Sequence, residues 1–412
     1  MQRTTLYGPF SELLPMHNLA MHGPLSDEDL LIIRDGGIVV EGERVLETGE
    51  YSELAKKYES AVQVFNTEEN MVAVPSFIDC HTHICWAGSR ANDYALRVAG
   101  KSYLEIAASG GGIMDTVRAT REASEDELVN AILVHVNELL KQGIGIVEVK
   151  SGYGLNKDAE LKMLRAIKSA NQQTPVDLIP TFLGAHIKPK DFEGSNSEYL
   201  DMLFEEVIPV IQKEELCTRA DIFVEEGAFG LDEAASYSKK LMSLGFDMTM
   251  HADQFHTGGA KLANELGCVS ADHLEFSDDE TVEKFRDSST VAVALPGASL
   301  GLGMQYTPCR KLLDQNACVA IATDWNPGSA PMGDLLTQAS LLGASEKLSI
   351  SETLAGITFR AARALRIDAG KIEKGTTARF SVFKTSDYRN IFYYQGRLRP
   401  THTILRNECI QH

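Results

Sequence analysis

Short apolar runs recur through the middle of the chain, and longer segments with helical spacing separate them. The eight runs are residues 71–78, 144–149, 176–183, 222–224, 248–250, 269–271, 291–295 and 319–322. Runs of this length are typical of buried strands. Strands that alternate with helices predict a parallel sheet with right-handed crossovers. Eight such units predict an α/β fold built on a closed, TIM-like (β/α)8 barrel.

Capping boxes mark the starts of two helices between these runs. Ser124 is followed three residues later by Glu127, and Ser349 by Glu352. In this arrangement each side chain caps the backbone of the other residue. Apolar residues then fall on one helical face in the segments that follow. The clearest of these segments cover residues 128–140, 157–170 and 197–212.

The two ends of the chain follow a different pattern, which predicts strands. Residues 29–34, 37–40, 378–383 and 403–405 are rich in β-branched or aromatic residues. The simplest arrangement pairs the two ends into one small β-sandwich domain beside the barrel. The predicted domains are residues 1–66 (first part of the sandwich), 67–367 (barrel) and 368–412 (second part of the sandwich).

Charge and cysteine usage narrow the class of protein. The net charge of −19 argues against nucleic acid or an anionic membrane as a partner, because both favour Lys and Arg patches. We expect no signal peptide, and no run approaches the roughly 18 to 20 apolar residues that cross a bilayer. The seven cysteines are scattered and odd in number, which predicts free thiols and a cytoplasmic protein. We expect a small-molecule partner and leave a homodimer open.

Polar residues follow the predicted strands at their carboxyl ends, where the chemistry of such barrels takes place. His81 and His83 come just after the first run and, two residues apart on a strand, face the same side. His251, His273 and Asp324 follow later runs. Imidazole and carboxylate groups are suitable ligands for zinc or iron. The pattern predicts a metal-dependent hydrolase.

Each of these groups has a plausible chemical role. A bound metal lowers the pKa of its water from about 16 to about 7. Asp324 can take the proton of that water, and His273 can donate to the oxygen on which negative charge develops. Lys150 could be a carboxylated bridge between two metals, but its neighbour Glu148 favours a salt bridge. We therefore predict a single metal.

Several longer motifs resemble a known family. The paired histidines and the Thr-Asp after the last strand are similar to those of the amidohydrolase superfamily. Within it, the chain closely resembles the imidazolonepropionases over roughly residues 70 to 365. The motifs that carry this resemblance are residues 87–90, 107–113, 116–121, 148–155 and 324–328. The resemblance implies hydrolysis of the cyclic amide of 4-imidazolone-5-propanoate to N-formimidoyl-L-glutamate, with one Zn²⁺ or Fe³⁺.

The resemblance also implies roles for single residues. It implies metal ligands at His81, His83, His251 and Asp324. It implies substrate contacts at Arg90, Tyr153, His186, Gln254, Asn326, Gly328 and Ser329. Asp324, His273 and Gln254 form the predicted catalytic set. Some members of the family carry Glu at the position of Gln254, and because Gln cannot act as a base, we expect it to orient substrate or water.

Two other functions stay open at this point. A deaminase of a ring such as guanine or cytosine would use the same strand-end ligands, although it has no evident need for Arg90 and Tyr153 to hold a carboxylate. A non-catalytic binding protein on the same barrel would be expected to lack a ligand, and all are present. The glycines at 110–112 lack the Lys-Ser/Thr pair of a phosphate-binding loop, so we interpret them as a lid or a close backbone approach to substrate.

Overall fold

A computed structural model describes residues 4–64, 70–101, 105 and 111–412 of the chain. Its strands are β1 (Thr4–Leu13), β2 (Ile33–Glu41), β3 (Arg44–Glu50), β4 (Val62–Val64), β5 (Val72–Pro75), β6 (Phe77–Asp79), β7 (Ile144–Lys150), β8 (Asp177–Ala185), β9 (Arg219–Val224), β10 (Asp247–Ala252), β11 (Ser270–His273), β12 (Val291–Ala294), β13 (Val319–Ile321), β14 (Arg379–Phe383), β15 (Pro400–Leu405) and β16 (Glu408–Gln411).

The helices lie mostly between the central strands. They are α1 (Tyr51–Lys57), α2 (Ala91–Val98), α3 (Ile113–Glu122), α4 (Glu125–Leu140), α5 (Lys157–Asn171), α6 (Asn196–Met202), α7 (Ile208–Glu214), α8 (Leu231–Ser243), α9 (Gly259–Leu266), α10 (Asp279–Lys284), α11 (Pro296–Leu302), α12 (Cys309–Asp314), α13 (Leu335–Glu346), α14 (Ile350–Gly356), α15 (Phe359–Ala364) and α16 (Asn390–Tyr393).

The predicted barrel is confirmed. Strands β6 to β13 form one parallel sheet in sequence order. Its two outer strands meet just beyond their carboxyl ends, where Thr82 and Trp325 form a parallel bridge. There the backbone N–H of Asp324 donates to the His81 carbonyl at 3.0 Å, and that of His83 donates to the Trp325 carbonyl at 2.9 Å. The contacts that close the barrel therefore fix the backbone of the candidate ligands.

The predicted capping boxes are present and open two of the helices. Ser124 caps α4 and Ser349 caps α14, each with the glutamate three residues on. The apolar pattern at 197–212 corresponds to α6 and α7, which a π-helical turn at Leu203–Val207 joins. Pro209 lies at the start of α7, and a proline has no N–H for the regular helical hydrogen bond.

The chain ends form an eight-stranded sheet, as predicted in outline. Its order is β16-β15-β14-β5-β1-β2-β3, with β4 paired to β1. One apolar core unites both ends of the chain, and it includes Tyr7, Phe10, Ile38, Phe380 and Ile404. Helix α1 covers the other face through Leu54, which packs on Leu6 and Val39.

The structure differs from the sequence pattern at two places near the amino end. The run at 71–78 is two strands, because β5 pairs with β1 and β14, whereas β6 pairs with β7 in the barrel. The strand predicted at 29–34 is wrong for most of its length. Asp27–Asp29 form a 3-10 turn that Ser26 caps, and β2 begins only at Ile33.

The domain limits at 66/67 and 367/368 stay a prediction. Part of the predicted glycine motif, residues 107–110, lies outside the described residues, and Gly111 and Gly112 lie within them. Within the described ranges, no helix combines the length and the hydrophobicity that a membrane-spanning segment needs.

Candidate active site

Four of the predicted strand ends bring imidazole and carboxylate groups to one point. His81 and His83 follow β6, His251 lies in β10, His273 ends β11 and Asp324 follows β13. All five are buried, with exposed fractions of 0 to 3%. One donor atom from each of His81, His251, His273 and Asp324 lies within 4.8 Å of the others. The cluster could hold a metal ion.

His83 also belongs to this cluster. Its Nε2 lies 3.2 Å from Nε2 of His251 and 3.3 Å from Oδ1 of Asp324. Nε2 of His81 lies 3.5 Å from the same carboxylate oxygen and has no hydrogen-bond partner among the described residues. Ligands at about 2.0 to 2.1 Å from a tetrahedral zinc are about 3.3 Å apart. The spacing of these donor atoms fits one ion of that size.

Carboxylates behind the cluster orient its histidines. Nδ1 of His81 lies 2.7 Å from Asp272 Oδ2, and Nδ1 of His251 lies 2.9 Å from Asp221 Oδ2. A carboxylate at Nδ1 fixes the tautomer that leaves Nε2 free for a metal. The sequence analysis did not identify Asp221 or Asp272. The available signal was an acidic residue directly beside an apolar run, Asp221 before residues 222–224 and Asp272 after residues 269–271.

Lys150 forms the salt bridge that was predicted. Its Nζ lies 2.7 Å from Glu148 Oε1 and 2.9 Å from Asp221 Oδ2, and its side chain is 1% exposed. Burial lowers the pKa of Lys150, but Asp221 and Glu148 outweigh that effect and hold the pKa above its usual value. The lysine is therefore an ammonium ion, whereas carboxylation would require a neutral amine.

Burial also sets the charge of the cluster. It lowers the pKa of His251 to about 4 and that of His83 well below its usual value, so both imidazoles are neutral at pH 7. Burial alone would raise the pKa of Asp324, but the ring nitrogens of His81 and His83 that face it hold that pKa well below its usual range. The cluster therefore combines two neutral imidazoles, His83 and His251, with an ionised carboxylate, groups that suit zinc or iron. Burial and Lys150 lower the pKa of His81, but Asp272 and Asp324 outweigh them and raise it to about 9, so His81 would release a proton on binding a metal.

A cavity of about 220 Å³ opens above the cluster. All seven residues predicted to contact substrate line it: Arg90, Tyr153, His186, Gln254, Asn326, Gly328 and Ser329. The structure also brings to the cavity residues that the sequence analysis missed, namely Arg97, Ile113, Phe223, Phe255 and Leu302. For Arg97 a signal existed, since it follows Arg90, the N-cap residue of α2, by seven residues, or about two helical turns.

Arg90 is held at the edge of this cavity by a residue not singled out before. Its Nε donates to Asp93 Oδ2 at 2.9 Å, and the same oxygen accepts the backbone N–H of Gly112 at 2.8 Å. A methyl group added to Gly328 would lie 2.6 Å from Nη1 of Arg90. The guanidinium group therefore lies directly against the glycine backbone after β13.

A buried carboxylate shapes the loop that carries Tyr153. Glu160 accepts hydrogen bonds from the backbone N–H groups of Gly152, Gly154 and Leu155 at 2.8 to 3.2 Å. The ring of Tyr153 lies 5.9 Å from that of His83. Burial raises the pKa of Tyr153, so its hydroxyl keeps its proton and can donate to a ligand.

Asn326 organises its own loop as well as lining the cavity. Its Nδ2 donates to Asp324 Oδ2 at 3.0 Å. Its Oδ1 accepts the backbone N–H groups of Gly328 and Ser329, each at 2.8 Å. The amide therefore links the candidate ligand Asp324 to the backbone that meets Arg90.

The comparisons with known proteins agree with this architecture. The model of the amidohydrolase family matches residues 72–408. The imidazolonepropionase of Rubrobacter xylanophilus is 41% identical over 381 residues, which cover 91% of each chain. That of Rhizobium meliloti is 41% identical over 392 residues, covering 94% of this chain and 93% of the relative.

Solved structures share the fold at low sequence identity. Guanine deaminase of E. coli superposes with a TM-score of 0.75 at 12% identity and covers 100% of both chains. Atrazine chlorohydrolase of Arthrobacter aurescens, complexed with zinc, superposes with a TM-score of 0.71 at 14% identity, covering 99% of this chain and 95% of that chain.

Proposed function

The chain belongs to the amidohydrolase family, and we propose that it is an imidazolonepropionase, which hydrolyses 4-imidazolone-5-propanoate to N-formimidoyl-L-glutamate in histidine degradation. One observation carries the proposal. A single cavity joins the buried histidine and aspartate cluster to Arg90, which can bind a carboxylate. The substrate has a matching pair of groups, a cyclic amide to be hydrolysed and a propanoate tail.

One Zn²⁺ or Fe³⁺ per chain is the proposed cofactor. His81, His83, His251 and Asp324 would hold it, since their donor atoms have the spacing and charge that suit such an ion. Histidines and one carboxylate bind either metal, so availability decides between them. When bound, the ion supplies an activated water near neutral pH.

The propanoate tail would bind at Arg90. A planar guanidinium group can donate two parallel hydrogen bonds to a carboxylate. Asp93 accepts a hydrogen bond from Nε of Arg90 and from neither Nη group. Tyr153 and His186 would contact the ring from the loop after β7 and the end of β8. Gln254 would orient substrate or water. Asn326, Gly328 and Ser329 complete the cavity wall beside Arg90.

We assign the proton transfers to Asp324 and His273. Water adds to the ring carbonyl carbon, and Asp324 accepts its proton. His273 donates a hydrogen bond to the carbonyl oxygen as negative charge develops there. The ring C–N bond then breaks, and the proton passes to the departing nitrogen. The break leaves the N–H of the formimidoyl group and a carboxylic acid, which ionises to a carboxylate and releases the second proton of the water.

The cellular context is part of the proposal. We propose a cytoplasmic enzyme with a small-molecule substrate, and we leave a homodimer open. All seven cysteines are free thiols in the structure, and five of them are buried. This is the state expected in a reducing compartment.

A substrate panel tests the function. The purified holoenzyme should open the ring of 4-imidazolone-5-propanoate without releasing ammonia. It should act far more slowly on 4-imidazolone that lacks the propanoate tail, and not on guanine or cytosine. Ammonia release from guanine or cytosine, with no turnover of the imidazolone, would identify a deaminase and refute the proposal.

A further inference from the structure

Glu275 is a buried carboxylate beside the candidate site, and the roles assigned so far leave it out. Its exposed fraction is 1%. Its Oε1 accepts a hydrogen bond from the Ser299 hydroxyl at 2.9 Å. Its Oε2 has no hydrogen-bond partner among the described residues. A polar oxygen without a partner is costly to bury, so a nearby donor is expected.

His273 faces this oxygen. Its Nδ1 lies 3.5 Å from Glu275 Oε2, and this nitrogen also has no other hydrogen-bond partner in the described part of the chain. Both side chains are at most 2% exposed. Two buried polar atoms, each otherwise unpaired, therefore face each other.

The backbone between these two side chains has an unusual conformation. His273 and Leu274 have φ values of +88° and +69°, in the left-handed region that non-glycine residues rarely adopt. Such a conformation is unfavourable and persists where the surroundings impose it. Here the Thr307 hydroxyl donates to the His273 carbonyl, and the Gln305 amide donates to the Glu275 carbonyl.

We propose that Glu275 is a positioning residue that acts through His273. Its carboxylate accepts the Nδ1–H of His273 and so fixes the plane and tautomer of the ring. The other ring nitrogen then faces the cavity, where the proposed function needs a group that interacts with the reacting carbonyl oxygen. This inference rests on the proposed function, because it assigns Glu275 a part in that reaction.

Glu275→Gln keeps the shape of the side chain and removes its charge. We expect kcat on 4-imidazolone-5-propanoate to fall roughly 10- to 100-fold, the cost typical of losing a carboxylate behind an active-site histidine, with KM changed little. Glu352→Gln is the matched control, since Glu352 is equally buried but caps α14 far along the chain. Its kcat should equal that of the parent enzyme.

The decisive readout is a double-mutant cycle with His273→Ala. If Glu275 acts through His273, Glu275→Gln should cause no further loss of kcat in the His273→Ala background. Equal losses in both backgrounds would mean an independent, structural role and overturn the inference. Unchanged kcat in the single variant would overturn it as well.

A second measurement does not depend on turnover. The NMR proton signal of His273 Nδ1–H, assigned by its absence in His273→Ala, should shift in Glu275→Gln and stay in place in Glu352→Gln. If the parent enzyme does not turn over the imidazolone, the proposed function fails, and this signal still decides whether Glu275 holds His273. An unshifted signal would refute the positioning role.

Discussion

The Nε2 atoms of His83 and His251 lie 3.2 Å apart at the carboxyl end of the barrel. Burial lowers the pKa of both imidazoles, so at neutral pH neither ring carries an extra proton. Asp324 Oδ1 lies 3.3 Å from the same nitrogen of His83. Two nitrogens and an anionic oxygen at this spacing form an electron-rich site that a cation would stabilise.

Replacing His83 or His251 should therefore remove the metal. We expect His83→Ala and His251→Ala to weaken metal binding by at least about tenfold and to lose most turnover, while the barrel remains folded. Metal analysis by mass spectrometry and a thermal melt check both points. His402→Ala, in β15 of the chain-end sheet, is the control and should keep its metal. A His251→Ala enzyme with full metal content would contradict the ligand set.

Arg90→Ala should weaken catalysis through lost substrate binding. Removal of a charge-assisted hydrogen bond to the propanoate should cost about 2 to 4 kcal/mol in kcat/KM. Arg90→Lys keeps the charge but loses the planar guanidinium group, so its kcat/KM should lie between that of the parent and that of Arg90→Ala. Arg118→Ala, at an exposed position of α3, is a control that should match the parent. Kinetics of Arg90→Ala equal to those of the parent would show that the tail binds elsewhere.

Gly328→Ala should disturb the binding of the propanoate by Arg90, because Gly328 lies against the guanidinium group. The new methyl group would lie 2.6 Å from Nη1 of Arg90, so the guanidinium must move. We expect kcat/KM to fall in Gly328→Ala and to fall no further when the same change is made in Arg90→Ala. Gly49→Ala is the control, because the nearest atom to its added carbon is 3.8 Å away in Leu54. If Gly328→Ala lowers kcat/KM equally in the parent and in the Arg90→Ala background, Gly328 does not act through Arg90.

Asp79 should make the metal-free protein less stable as the pH rises. Burial raises its pKa from 3.8 to about 7, although Thr323 donates two hydrogen bonds that oppose this. Because the folded-state pKa lies above the unfolded value, Asp79 contributes most stability below about pH 4 and loses that contribution as the pH rises through about 7.

Asp79→Asn carries no charge at any of these pH values. The free energy of unfolding of the variant, relative to the parent, should therefore increase between about pH 5 and about pH 8. Denaturant melts of the metal-free proteins at both pH values measure this. Asp201→Asn, at a surface salt bridge with Lys240, should parallel the parent. A relative stability of Asp79→Asn that stays constant or falls over this range would contradict the assignment.

The sequence predicted the barrel and the meeting of strand-end residues because both depend on local pattern. Eight apolar runs separated by helices define a barrel, and a barrel brings the carboxyl ends of its strands together. This placed His81, His251 and Asp324 near one another even though they are far apart in the chain. The residues predicted to line the cavity came from the resemblance to the imidazolonepropionases and not from the spacing of apolar and polar residues.

Contacts between distant elements could not be predicted in the same way. Asp272 contacts His81, although 191 residues separate them in the chain. Their contact depends on the directions of side chains at the ends of β6 and β11, which are not neighbours in the sheet. The run at 71–78 shows no break in its apolar pattern, yet its halves join different sheets. Pro75 pairs with Phe380, whereas Phe77 pairs with Ile144. The choice depends on the partners that each half finds in the folded chain.

The central claim is that this chain hydrolyses 4-imidazolone-5-propanoate with one bound metal. The most direct test removes the metal with a chelator, restores it stepwise as Zn²⁺ or iron, and follows formation of N-formimidoyl-L-glutamate by mass spectrometry. We predict that product formation is lost on removal and returns in proportion to bound metal, with a plateau at one ion per chain. Full product formation by the metal-free protein, or none by the restored protein, would contradict the account.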